Sequence, residues 1–530
     1  MSETAIPMTG RVVAFLDIGT NSVRLFVVRF NPNHSYTILT RQKQQVRLGE
    51  GEFEDGVLLP EAIDRTVLVC RKFVDLARTF SCGEFIAVAT SATREAANRD
   101  DLLNRLRQET QLDVRVISGR EEARLIYLGV ASGIHFGEQN ALFIDIGGGS
   151  TEIIVGGEKE YQYLESVKVG AIRLTNHFFR DNLSDPVSPE SYKEIQQYVR
   201  SKLVYTIQKL NKLKFGRAIG SSGTIINLAE IASRTRFRSN SGQDGVLTRR
   251  DLKEVISLLS SLPLEARRRV PGINPDRADI IIAGAAILDV LMKETAIDSL
   301  TITPRGLQDG LVIDYLSRMA GFSPFGELSV RQRSVLQLGR SCGINETHAR
   351  TVCALALELF DSAKRLKLHE YGEREREILE YAAFLHDIGS FISYTNHHSH
   401  SWYIISNVEL LGFDQKEIAM IANISRFHRK KVPNLKGIDM APCNEAERQA
   451  VRVLSIFLRL AESLDRSHAS YVRHAGFRKV DRDTVTLDVI ARNDCQLELW
   501  GVDNERKAFQ RVFDRDILLI VRSEDAEKKA

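Results

Sequence analysis

Asp17-Ile18-Gly19-Thr20-Asn21-Ser22 and Asp145-Ile146-Gly147-Gly148-Gly149-Ser150-Thr151-Glu152 write one pattern twice: a carboxylate, a glycine turn, then hydroxyl side chains. Glycine lets a turn adopt positive φ and approach a ligand closely, so successive N–H groups can converge on phosphate oxygens. Ser22, Ser150 and Thr151 add donors. Carboxylates repel phosphate, so Asp17 and Asp145 suit a hydrated Mg²⁺ that bridges to it. Either copy alone would pass for a plain turn. Their repetition points to a two-sided phosphate site.

Three further segments carry chemistry. In Ser118-Gly119-Arg120-Glu121-Glu122, Ser118 and Glu121 have capping-box spacing, which makes Glu121 structural. Glu122 points about 100° further round the helix, free to orient and deprotonate a water; the bland alternative is favourable charge at a helix start. Thr90-Ser91-Ala92-Thr93-Arg94 puts an arginine at a strand-to-helix junction, where it can fork onto phosphate or form a surface ion pair. Gly220-Ser221-Ser222-Gly223-Thr224 before an apolar stretch reads as a third anion loop or a plain helix cap. Further on, His348, the pair His386-Asp387, His398, His400, His428 and Asp465 are imidazoles and carboxylates that could converge from separate helices on one metal ion. A single buried histidine would be only a hydrogen-bonded core group.

The glycine turns need strands on both sides, and apolar runs supply them at Val12 to Leu16, Val23 to Val28, Ala141 to Ile144 and Ile153 to Val155. A dinucleotide fold fits poorly, because its glycine turn opens a helix whereas both turns here open strands. Spacing predicts helices at 60–80, 94–109, 189–212 and 250–262, strands at 85–89 and 114–117, and helical character through 330–470, which holds eight of the twelve histidines. Alternation at 483–490 and 496–500 predicts two strands of a small cap, followed by a charged end, 523–530. The expected domains are 11–128 and 129–320, two similar α/β halves around a cleft, then 328–475, all-α after a texture change at 321–326, and 476–525, a small α/β piece.

At 530 residues and 43% hydrophobic composition the chain can fill several cores. A net charge of +3 implies no general nucleic-acid affinity. Six scattered cysteines without a CxxC pair fit a reducing, cytoplasmic setting; residues 1–10 lack a charged start followed by an apolar core and no run reaches about 18 apolar residues, so neither secretion nor a membrane span is expected.

DIGTNS, TSATREAANR, SGREEARLIYLG, DIGGGSTE, GSSGT, RADIIIAGAAIL and TPRGLQDGLV, in this order, resemble the exopolyphosphatase / guanosine pentaphosphate phosphatase (Ppx/GppA) family over residues 11 to about 318. The resemblance implies the fold of the sugar kinase, Hsp70 and actin superfamily and a phosphoanhydride hydrolase acting on polyphosphate, guanosine pentaphosphate or both. Glu122 would be its base, and Asp145 and Glu152 would organise Mg²⁺, or Mn²⁺, and water. Gly147, Gly148, Ser150, Arg94, Ser222 and Gly223 would line the phosphate path, with Asp17, Gly19, Asn21 and Ser22 opposite. A homodimer is also implied. The histidine-rich stretch resembles, more loosely, an HD phosphohydrolase domain, with His348, His386, Asp387 and Asp465 around a divalent transition metal. A non-hydrolytic sensor of polyphosphate or guanosine pentaphosphate, signalling through that stretch, is the alternative in another class.

Overall fold

The structure is a computed structural model that describes residues 10–32, 35–134, 139–157, 160–179, 186–235, 245–318, 328–408, 410–429 and 440–524. The expected texture change at 321–326 and most of the charged end, 525–530, lie outside these residues. The chain divides into two compact units, one up to residue 327 and one from Leu328 onward.

The first unit holds two sheets of one design. β1 (Arg11–Ile18), β2 (Ser22–Phe30), β3 (Tyr36–Gln45), β4 (Glu84–Ala89) and β5 (Val114–Val116) form a sheet of order β3-β2-β1-β4-β5. β6 (Ala141–Ile146), β7 (Thr151–Gly156), β8 (Tyr161–Val167), β9 (Arg217–Ser221), β10 (Val246–Thr248) and β11 (Ser299–Ile302) form the second, in order β10-β11-β9-β6-β7-β8. In each, an antiparallel three-strand meander pairs in parallel with the strands that follow, so β6-β7-β8-β9-β11 repeats β1-β2-β3-β4-β5. The chain is a mixed α/β fold built on an internal repeat.

Central strands are buried on both faces, and alternate residues enter different cores. Ala14, Leu16 and Ile18 of β1 pack with the helix Pro60–Thr79, whereas Val13 and Phe15 share a core with Ala141 and Phe143 of β6. Two helices, Gly119–Ala131 and Leu307–Ser317, contribute Leu125, Ile126 and Leu311 to that shared core. The shared core holds the ends of β1 and β6 near each other. The two helices meet through glycines: a Cβ on Gly129 would lie 2.1 Å from the Gly306 carbonyl oxygen, and one on Gly310 would lie 1.8 Å from that of Leu125.

The expected helix 94–109 is two helices, Ser91–Glu95 and Arg99–Thr110. Asn98 explains the break: its side-chain amide donates to Leu58 O at 3.0 Å and its oxygen accepts from Leu58 N at 2.8 Å, holding the chain out of helical register.

In the second unit the helices Val330–Ser341, Glu346–Arg365, Glu373–Leu385, His397–Asn407, Gln415–Arg426 and Glu445–Leu464 precede a sheet. β12 (Val472–Val480), β13 (Thr484–Ala491) and β14 (Asp516–Ser523) lie in the order β12-β13-β14. Helices and sheet share one core, with Phe360 and Phe457 beside Phe477, Leu487 and Phe509. The expected strand 496–500 is instead the start of the helix Gln496–Phe513. Its alternating leucines are misleading: Leu497 is exposed, while Glu498, Val502, Phe509 and Phe513 bury one helical face. The helix is the crossover that parallel β13 and β14 require.

Gly310→Ala should lower the thermal midpoint of the first unit by several degrees, about 1 to 3 kcal/mol of overpacking, although alanine is the better helix former. An unchanged midpoint in calorimetry would mean that the helices do not meet at this crossing.

Candidate active site

Both glycine turns close identically. Gly19 N donates to Ser22 O at 3.1 Å, and Gly147 N donates to Ser150 O at 3.0 Å. Neither these glycines nor Gly148 and Gly149 adopt positive φ, so the expected conformational reason gives way to close approach. A Cβ on Gly148 would sit 3.0 Å from Thr20, and one on Gly149 2.5 Å from Phe53 and Ser91. The carbonyls of Gly147 and Gly148 accept from the first amides of the helix Ala171–Phe179, and Gly149 O accepts from Arg173 Nε at 2.8 Å. A planar peptide directs its N–H opposite to its C=O, so the amides of Gly148, Gly149 and Ser150 face the cleft that these residues line.

That cleft measures about 440 Å³. It is lined by Asp17, Gly19, Asn21, Ser22, Glu122, Asp145, Gly147, Gly148, Ser150, Ser222 and Gly223. Arg94, expected on the phosphate path, and Glu152, expected with the metal, are not among its lining. Arg94 donates to Glu122 Oε2 at 3.0 Å and to Ile117 O at 2.9 Å, so it braces the glutamate. Glu152, opposite Asp145 in the β6–β7 register, is buried and accepts from Ser166 Oγ at 2.7 Å. Thr151 turns its hydroxyl to Val169 O instead of the cleft. Glu121 does not reach back to Ser118; it pairs with Arg124, which also reaches Asp314. Only the Ser118 half of the predicted cap forms.

Four carboxylates are thus buried at the ends of β1 and β6. Burial lifts Asp17 to about 6 and Asp145 above its usual range, with Ser221 Oγ donating to Asp145 at 2.6 Å. Burial raises Glu122 to about 7, against the pull of Arg94 and with help from Asp17 and Asp145. Glu152 is raised well above normal by burial, then by Glu122 and Asp145. Asp17 Oδ1 is buried without a hydrogen-bond partner. Such donors fit Mg²⁺, which is held by one or two carboxylates and completes its shell with water and phosphate oxygens.

Sequence reasoning missed the cations beside this group. Arg24 stands opposite Asp17 across β1–β2, where Glu152 stands opposite Asp145 in the second hairpin. Arg24, Arg41, Lys43 and Arg277 line the cleft. Desolvation, then Arg277 and Arg24, bring Lys43 down to about 8. Burial, then Arg24, brings Arg277 to about 10. Gly223 makes room for Arg277, since a Cβ there would lie 2.3 Å from the guanidinium. Ser222 holds φ at 73°, unusual for serine, and donates to Ile146 O at 3.0 Å. Arg24 and Lys43 were hidden in strand alternation. A carboxylate at one hairpin position and a cation at the corresponding one was the available signal.

The second unit gathers most of its predicted ligands differently from the expectation. His348 Nδ1 contacts Asp465 at 2.7 Å, and its Nε2 lies 3.1 Å from Glu462, which is also 3.0 Å from His386 Nε2. These carboxylates raise His348 to about 9 although burial opposes it. Glu462, one turn before Asp465, faces the group of histidines; Asp465 supports His348 from behind. Asp387 lies with His397 and His428, and His397 was not singled out by sequence.

A family model described as the Ppx/GppA phosphatase family matches residues 26–319, and one for Ppx/GppA phosphatase domain III matches residues 330–506. Among solved structures, an exopolyphosphatase from Cytophaga hutchinsonii is 26% identical, over 59% of this chain and 100% of that one, with a TM-score of 0.54. An exopolyphosphatase-like protein is 27% identical over 58% of this chain and 99% of that one, with a TM-score of 0.52. The Aquifex aeolicus PPX-GPPA enzyme is 29% identical over 57% and 99%, with a TM-score of 0.48. With its paired glycine hairpins, buried acid cluster and matched domain III, the chain belongs to the Ppx/GppA phosphatase family.

Proposed function

We propose that the cleft of the first unit removes the terminal phosphate from inorganic polyphosphate in a Mg²⁺-dependent hydrolysis. The observation that carries the substrate class is the row Arg24, Lys43 and Arg277 lining the cleft, where Arg24 helps to lower both Lys43 and Arg277, neighbouring cations therefore suited to a run of phosphates. Among the described lining residues Phe26 is the one aromatic ring, and the Arg41 guanidinium lies 4.5 Å over it, which leaves no open ring face for a nucleobase. This favours an inorganic chain over guanosine pentaphosphate.

Glu122 acts as general base. It takes a proton from a water as that water's oxygen attacks the terminal phosphorus, while Arg94 fixes the carboxylate's direction. The amides of Gly148, Gly149 and Ser150 receive the oxygens of the transferred group, and Arg24 and Arg277 keep the departing chain. Asp17 and Asp145 would hold Mg²⁺, which when bound neutralises phosphate charge. Glu152, opposite Asp145 in the β6–β7 register, would add its charge there once a bound cation favours its ionised form.

Glu122→Gln should lower kcat by roughly 10²- to 10⁴-fold while polyphosphate still binds. Full turnover would remove Glu122 from the base role. No turnover in the unaltered protein, with binding intact, would favour the sensor. Side-by-side phosphate release from long polyphosphate and guanosine pentaphosphate, each with Mg²⁺ and Mn²⁺, tests the substrate choice; faster release from the nucleotide overturns it.

The pH profile has a definite sign. A base must be ionised, and Glu122 titrates near 7, so kcat/KM should fall about tenfold per unit as pH drops below that value. Arg94 favours the ionised form, so Arg94→Gln should move this limb to higher pH. A limb that stays in place would show that Arg94 does not act through Glu122.

Arg277→Gln should raise KM for polyphosphate at least tenfold with a smaller change in kcat, the mark of an interaction present in ground and transition states alike. A loss confined to kcat would place Arg277 on the transferred phosphate instead.

A further inference from the structure

The short helix Ser91–Glu95 serves the cleft through two neighbouring residues. Arg94 braces Glu122. Glu95 turns to the other hairpin: its Oε1 accepts from Arg173 Nη2 at 2.7 Å and from Ser91 Oγ at 3.0 Å, and its Oε2 lies 2.9 Å from Lys168 Nζ. Arg173 forks from there. Its Nε donates to Gly149 O at 2.8 Å, and its guanidinium carbon lies 3.9 Å from the centre of the Phe53 ring. Phe53, Ser91 and Glu95 precede β6, whereas Gly149, Lys168 and Arg173 follow it, so one guanidinium joins the two repeats.

The carbonyls of the second glycine turn are not held alike. Gly147 O accepts from Ala171 N at 3.0 Å and Gly148 O from Ile172 N at 2.8 Å, both backbone amides of the adjoining helix start. Gly149 O is held by a side chain, and that side chain is itself fixed from the other repeat. A peptide is planar, so the proton on Ser150 N points opposite to Gly149 O, toward the cleft. A guanidinium on the carbonyl sets that direction and polarises the N–H. Packing leaves the turn no slack: a Cβ on Gly149 would lie 2.5 Å from Phe53 and Ser91. The charges agree with the geometry. Burial, then Glu95, raises Glu52 beside this pair to about 8, so at neutral pH Glu52 is uncharged and Glu95 is the acid that Arg173 meets. Although burial pushes Glu95 up, Lys168, Arg173 and Ser91 bring it below its ordinary range.

We infer that Glu95 and Arg173 are positioning residues for the amide cradle of Gly148, Gly149 and Ser150: Arg173, anchored on Glu95 of the other repeat, aims the Ser150 amide at the transferred phosphoryl group. The helix Ser91–Glu95 then sets the base through Arg94 and the cradle through Glu95, which keeps the attacking water and the receiving amides at one spacing. The inference rests on the reading of this cleft as the hydrolytic site. An amide aimed at developing charge acts most in the transition state, so its loss falls on kcat.

The test uses the full chain. Arg173→Gln should lower kcat for phosphate release from long polyphosphate by roughly 10- to 100-fold, with KM changed less than about threefold. Arg173→Lys keeps the charge beside Glu95 but cannot also fork onto Gly149 O, so it should recover the thermal midpoint lost in Arg173→Gln and not the kcat. Glu95→Gln should lower kcat about tenfold, and the double variant should be no slower than Arg173→Gln alone, since the two residues act as one unit. The acid limb of kcat/KM should stay in place, because Glu122 keeps its own brace in Arg94. Arg47→Gln cuts a separate contact between the repeats, Arg47 to Asp279 at 2.9 Å, and should keep kcat. Orthovanadate, a mimic of the transferring group, reads the cradle without turnover, and its affinity should fall at least about tenfold in Arg173→Gln. Vanadate binding that depends on Arg173, in a protein that releases no phosphate, would sink the hydrolytic reading and leave the cradle standing. Equal vanadate affinity in the two proteins or none in the unaltered one, falls that multiply in the double variant, or an equal loss of kcat in Arg47→Gln overturns the inference.

Discussion

The first unit is organised around an electrostatic conflict: Asp17, Glu122, Asp145 and Glu152 are all buried near one point. Asp17, Glu122 and Asp145 each raise the proton affinity of at least one other member, and burial raises all four. An arrangement so unfavourable to its own charges persists only because packing over-determines it. The shared core beneath β1 and β6 fixes the strand ends, the glycine contacts of Gly129 and Gly310 seat the helix that bears Glu122, and Arg94 supplies the one direct counterion to that glutamate. The chain leaves a cation-shaped deficit on purpose-built supports.

Beside the acids the same cleft gathers cations, and the division of labour follows from which hairpin partner each strand provides. The repeat would place like residues at like positions, yet Arg24 faces Asp17 where Glu152 faces Asp145. That single divergence leaves one hairpin with two facing acids and gives the other a cation beside its acid. Braces across the cleft keep the sides in register: Arg173 reaches Glu95 at 2.7 Å, and Arg47 reaches Asp279 at 2.9 Å. Phosphate chemistry needs positioning and charge neutralisation more than covalent participation, so opposed charges a few ångströms apart form most of the required apparatus.

The hairpins were legible because strand, glycine turn and strand are written in adjacent residues. Glu122 was separable from Glu121 because one residue turns a helix by about 100°, and the structure has Glu121 outward on Arg124 and Glu122 inward on Arg94. What depends on distant contacts was not legible. Asn98 breaks a predicted helix only because Leu58 offers its backbone, and Arg277 enters the cleft only because Gly223 has no side chain. The tail misled for a related reason: alternation in five residues cannot tell a strand from a helix whose buried face begins with Glu498.

The histidine group shows how the same principle yields a different preference. In the cleft the unpartnered atoms are carboxylate oxygens on strand ends, which suit a hard, hydrated ion that substrate helps to hold. In the second unit, the facing Nε2 atoms of His397 and His428 are softer donors, and backbone carbonyls fix their direction. The resemblance to an HD domain suggested Asp465 as a ligand, yet the structure has Glu462 facing His348 and His386 while Asp465 bonds the far side of His348. Three residues along a helix exchange a facing role for a supporting one, which makes the rotational phase of the helix Glu445–Leu464 the variable that decides the ligand set.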